Sequence, residues 1–106
     1  MATRWGVRNA IISGAASGIG KGLAKALAAD GTNIVVLDLK APKAAMDEIR
    51  AECKTERQQV LPFEVDITDA PAVRAAVNKA VEELGMPDLA VNCAGVQYAR
   101  NFARIP

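Results

Sequence analysis

The 106-residue chain has no histidine, two cysteines and few aromatic residues. Without histidine, and with Cys53 and Cys93 at no ligand spacing, the usual zinc sites are excluded. The two cysteines read as reduced, buried thiols of a cytoplasmic protein. A net charge of +1, with no block of one sign, offers no patch for nucleic acid or an anionic membrane surface. No apolar run reaches the length that spans a bilayer. The start, Met1-Ala2-Thr3-Arg4-Trp5-Gly6, lacks the apolar segment of a secretory signal, so the chain is expected to be cytoplasmic. With aromatics scarce, the core must be Ala, Val, Leu and Ile. That composition suits parallel strands buried under helices.

What is present is an alternation of apolar runs and amphipathic segments. A strand is expected at Asn9 to Ser13, followed by a helix from near Gly18 with Ile19, Leu23 and Leu27 on one face. Asp30-Gly31 closes that helix. Ile34 to Leu37 is an unbroken apolar strand, ending at Asp38. A second helix is predicted from Lys43 to Thr55, with Met46, Ile49 and Cys53 inward. A third strand spans Val60 to Val65 and ends at Asp66. Thr68 or Asp69 caps a third helix with Pro71 in its first turn. Its inner face is Val73, Val77, Val81 and Leu84. The turn Gly85-Met86-Pro87-Asp88 leads into a fourth strand, Leu89 to Asn92. This order implies an α/β fold: a Rossmann-type, doubly wound parallel sheet with right-handed crossovers. The pattern stops after Gly95, so residues 1–106 read as the N-terminal part of one such domain, truncated after the fourth strand. An uncovered fourth strand is expected to favour self-association.

The most informative stretch is Ser13-Gly14-Ala15-Ala16-Ser17-Gly18-Ile19-Gly20. It stands between a strand and a helix start. Glycines permit a sharp turn and close approach of a ligand. A helix start offers free N–H groups and a positive dipole end. Together they suit a phosphate. Asp38 lies 18 residues beyond Gly20, at the carboxyl end of the second strand. There an acid accepts hydrogen bonds from ribose hydroxyls, and it repels a 2′-phosphate. Neither Ser17 nor Leu39 is basic, and Lys40 points the other way if the strand stays extended. NAD is therefore expected over NADP. Asp66 has two readings of equal weight: an acceptor for an adenine amino group, or a helix-start cap. The small pair Ala94-Gly95 after Asn92 permits close backbone approach at the same sheet edge, though alone it reads as an ordinary turn.

These residues resemble the short-chain dehydrogenase/reductase family. Its opening T-G-x-x-x-G-x-G matches Gly14, Gly18 and Gly20, with Ser13 in place of the threonine. Its acid after the second strand matches Asp38. Its aspartate before a small aliphatic residue matches Asp66-Ile67. Its N-N-A-G motif appears as Asn92-Cys93-Ala94-Gly95, with Cys93 in place of an asparagine. The resemblance runs from about Arg8 to Gly95. It implies that Ser13 to Gly20, with Ser17 and Ile19, wraps the pyrophosphate. It implies that Asp38 and Leu39 meet the adenosine ribose, and Asp66 and Ile67 the adenine. Asn92, Ala94 and Gly95 line the cofactor and support the central sheet.

The family's chemistry uses a serine and a Tyr-x-x-x-Lys pair far beyond N-N-A-G. Tyr98 is the one tyrosine here, and Phe102 stands four residues later. No catalytic residue is therefore assigned, nor any metal. A small carbonyl or alcohol substrate is expected only in a longer form. Two functions compete: the cofactor-binding part of a hydride-transferring oxidoreductase, or a stand-alone nucleotide-binding or interaction module without catalysis. An S-adenosylmethionine-dependent methyltransferase also places an acid after its second strand, but its glycine loop is more tightly spaced.

Overall fold

The computed structural model describes residues 4–93. Four strands form one parallel sheet in the order β3-β2-β1-β4. They are β1 (Asn9–Ser13), β2 (Asn33–Asp38), β3 (Val60–Glu64) and β4 (Leu89–Asn92). The crossovers are α1 (Gly18–Ala29), α2 (Lys43–Ala51) and α3 (Ala70–Leu84). Alternation along each strand sends residues to opposite faces. Ala10, Ile12, Ile34, Val36 and Val60 face α1 and α2, where Leu27, Met46 and Ile49 meet them. Ile11, Val35 and Leu37 face the other way, against Ala76 and Ala80 of α3. Helices on both faces explain why Ile34 to Leu37 is apolar without a break. The expected α/β, doubly wound Rossmann-type architecture is the one observed.

Local differences have physical causes. Ile19 is exposed, not inward. Gly20 and Ala24 are buried instead, Gly20 because it packs against the Gly14 carbonyl, where no side chain fits. Helix α2 ends at Ala51, short of Thr55. The Gln58 side-chain oxygen accepts from the Lys54 and Thr55 N–H groups, capturing the chain in a turn. The buried residues of α3 are Ala76 and Ala80, while Val73, Val77, Val81 and Leu84 are half-buried beside them. Asp69, not Thr68, caps α3, accepting from the Ala72 N–H at 3.2 Å. Strand β3 stops one residue early, at Glu64, with Val65 still buried.

The amino-terminal edge of the sheet is held by side-chain amides. Asn33 Nδ2 donates to Asn9 Oδ1 at 2.9 Å, and the Gln59 N–H donates to Asn33 Oδ1 at 2.8 Å. Asn9 Nδ2 donates to the Leu84 and Met86 carbonyls. Asp88 accepts from the backbone N–H groups of Arg8 and Asn9, at 2.7 and 3.0 Å. Those N–H groups, Asn9 first, hold its carboxyl below the usual carboxylate range. A depressed native pKa stabilises the fold above the unfolded pKa, and this is lost as pH falls through the native value. Urea melts at neutral pH and below about pH 4 are expected to show a smaller acid loss in Asp88→Asn, which still accepts both bonds. An equal loss in both chains would rule this source out.

Candidate functional site

The carboxyl ends of β1, β2 and β3 bring the sequence-predicted residues to one edge. After Ser13 the backbone turns at Gly14 (φ 73°), and Gly18 (φ 58°) opens α1 in the same left-handed region. A Cβ on either would be strained. The Gly14 N–H donates to the Leu37 carbonyl at 2.8 Å, which ties the start of the loop to β2. Gly20 lies against the carbonyl of Gly14, and a Cβ there would collide with it. The loop therefore folds back under its own helix, which only glycine allows. Ala15 is fully buried beneath it, while Ser17, Gly18 and Ile19 face solvent.

Ser17 is the residue before α1, with extended backbone and no side-chain cap. The first turn carries no acid. Its N–H groups and the helix dipole are thus left for an external anion. Helix α2 also lacks a side-chain cap, so the missing cap alone marks nothing. The glycine fold-back is what distinguishes α1.

Asp38, half-buried at the end of β2, reaches the glycine loop directly. Its Oδ2 accepts from the Ala16 N–H at 3.1 Å. One carboxylate oxygen thus fixes the loop. Leu39 follows it, 68% exposed, and Ile19 is 67% and Ile67 37% exposed. These bare apolar side chains stand on elements that end at the same edge. Such surface beside an anion cradle suits a flat, apolar ring joined to a phosphate. Asp66 closes a local turn: its Oδ1 accepts from the Thr68 hydroxyl at 2.7 Å and N–H at 2.9 Å, and both hold its carboxyl below the ordinary range. Its turn role is distinct from the α3 cap, which Asp69 supplies.

At the junction of β1 and β4, the Ser13 hydroxyl donates to Asn92 Oδ1 at 2.7 Å. The Cys93 N–H donates to the Ser13 carbonyl at 2.9 Å, and its thiol side is buried. A backbone bond of this kind does not depend on the side chain, so cysteine is tolerated there. Ala94 and Gly95 lie outside the described residues. Sequence reasoning missed Glu64, which ends β3 and accepts from the Ala41 N–H at 2.9 Å. Nothing in local spacing pairs residues 23 apart.

A hollow of about 640 Å³ lies at the opposite edge, lined in part by Arg8, Asn9, Asn33, Arg57 and Gln58. Its amides are already engaged: Gln58 Nε2 donates to the Ala28 and Thr32 carbonyls, and Asn9 and Asn33 bond as above. It holds the sheet together and carries no converging chemistry. Among the described residues no cluster of acids and cysteines could hold a metal, and no helix is long and apolar enough to cross a membrane.

The fold and the glycine cradle define a Rossmann-type α/β unit with its candidate site at the carboxyl edge of the sheet. Residues 8–106 match the short chain dehydrogenase family, and the chain belongs to it. It is similar to the short-chain dehydrogenase fogB of Aspergillus ruber, 39% identical over 105 residues, covering 92% of this chain and 38% of that protein. Among solved structures it is similar to a 3-oxoacyl-[acyl-carrier protein] reductase from Brucella melitensis in complex with NAD. The TM-score is 0.71 at 29% identity, over 81% of this chain and 32% of that one. Carveol dehydrogenase from Mycobacterium avium in complex with NAD gives a TM-score of 0.69 at 28% identity, over 78% and 34%. The chain thus spans about a third of the length of these relatives.

Proposed function

We propose that this chain is the cofactor-binding part of a short-chain oxidoreductase, and that its dinucleotide is NAD. The whole protein would transfer hydride between nicotinamide and a carbonyl or secondary alcohol carbon. Ser13, Gly14, Ser17, Gly18, Ile19 and Gly20 hold the pyrophosphate, and Asp38 with Leu39 holds the adenosine ribose. Asp66 and Ile67 border the adenine, and Asn92, Ala94 and Gly95 line the cofactor. The bound dinucleotide supplies the hydride acceptor or donor. The chain's own residues bind and orient it. The observation that carries this reading is the Asp38 bond to Ala16, which ties the ribose acid to the phosphate loop. Solved relatives that hold NAD support it.

The preference for NAD rests on charge. A carboxylate at the ribose repels a 2′-phosphate. Asp38→Ala removes charge-assisted hydrogen bonds of about 1.5–3 kcal/mol, or about tenfold to a hundredfold in affinity. Calorimetric titration of both chains with NAD(H) and NADP(H) tests this. Equal or tighter NADP(H) binding by the unmutated chain overturns the preference. The outer edge of β4 pairs with no strand among the described residues, and Ala90 and Asn92 are exposed. We propose that this edge supports self-association of the isolated chain, readable by light scattering.

A further inference from the structure

Glu64 is the one acid at the carboxyl edge that the reading above leaves without a role. It ends β3 and is the register partner of Asp38 on β2. Neighbouring strands lie about 4.8 Å apart, and register partners share a face. The two acids therefore start from neighbouring positions on one face of this edge. Each holds a different loop by one oxygen. Asp38 accepts from Ala16 in the glycine loop, and Glu64 accepts from Ala41 in the connection between β2 and α2. The strand ends are themselves tied, since the Val65 N–H donates to the Asp38 carbonyl at 2.8 Å. That connection carries Leu39 and Lys40, both exposed. Lys40 has no ion pair among the described residues, whereas Lys43 is bound to Asp47 at 2.7 Å.

We propose that Glu64 is a specificity-determining positioning residue, which latches the 39–42 loop through Ala41 and adds a second negative charge against a ribose 2′-phosphate. The inference rests on the dinucleotide reading above. It requires two effects that separate cleanly. Glu64→Gln keeps an acceptor for Ala41 and removes the charge. Glu64→Ala removes both. Like charges within several ångströms at a solvated edge alter binding of a doubly charged phosphate by about three- to tenfold.

The test titrates the full chain and both variants with NAD(H) and NADP(H), and follows amide exchange at Ala41 without ligand. The expected result is a ratio of NAD to NADP affinity that falls about three- to tenfold in Glu64→Gln. Ala41 exchange is expected to rise in Glu64→Ala and to be restored towards the unmutated rate in Glu64→Gln. Glu82→Gln, on the exposed side of α3, serves as the charge control and is expected to change neither affinity. An unchanged affinity ratio in both Glu64 variants overturns the charge role. Unchanged exchange at Ala41 overturns the latch. If the unmutated chain binds neither dinucleotide, the site reading itself fails and takes the specificity role with it. The exchange result still stands or falls separately.

Discussion

Gly20→Ala is expected to lower stability by about 1–3 kcal/mol and to weaken dinucleotide binding at least tenfold. The usual rule points the other way. Glycine inside a helix is worse than alanine by about 0.5–1 kcal/mol, so the substitution ought to stabilise α1. At Gly20 the added Cβ meets the carbonyl of Gly14, a backbone atom. That carbonyl cannot move freely, because the Gly14 N–H is tied to Leu37 and the Ala16 N–H to Asp38. Relief must come by lifting α1 from the sheet or by opening the loop. The first disrupts packing of Ala24 and Leu27, both buried. The second disturbs the geometry proposed to hold pyrophosphate. Gly22 is the internal control. It is exposed, and a Cβ there meets nothing within 4 Å. Gly22→Ala is expected to stabilise by about 0.5–1 kcal/mol. Thermal melts and NAD titrations of the two variants decide it. If Gly20→Ala behaves like Gly22→Ala, the fold-back is not what shapes the loop.

The contrast between these two glycines shows where sequence reading reaches and where it stops. Spacing alone marks Gly14, Gly18 and Gly20 as a loop, and the apolar run Ile34 to Leu37 as a strand covered on both faces. Strands β1 and β4 fall at their expected bounds because short apolar runs between turn residues are local signals. Ile19 was legible as apolar and at helical spacing, yet it lies outside. Periodicity gives a face but not how closely that face approaches the sheet. The side-chain amides of Asn9 and Asn33 and the Gln59 backbone N–H form a ladder from β1 through β2 to the start of β3, and only the register makes them neighbours. Glu64 belongs to the same class. It is an ordinary surface acid in the sequence, and a partner of Asp38 once β2 and β3 are paired. Long-range pairing is what no local pattern encodes.

Hydride transfer by the 106-residue chain alone is expected to be undetectable. Holding a nicotinamide is one requirement. A group of suitable pKa within hydrogen-bond reach of the substrate oxygen is another. The chain has no histidine, and Tyr98 is its single tyrosine. Phe102 stands where the family's pair would need lysine, so that motif is incomplete at this tyrosine. Losing a positioned acid typically costs about a hundredfold to ten-thousandfold. Loss of substrate positioning adds to that, since effective concentration at the reacting centre falls as well. The assay is NADH oxidation, followed by absorbance, against small ketones and 3-oxoacyl thioesters. Turnover by this chain that Tyr98→Phe abolishes would place the acid at Tyr98 and overturn the expectation. Turnover that appears only when a segment carrying Tyr-x-x-x-Lys is joined after Pro106 would assign the two roles to separate stretches of sequence. A chain that binds NAD, stays inactive alone and gains nothing from such a segment would favour the stand-alone binding module instead.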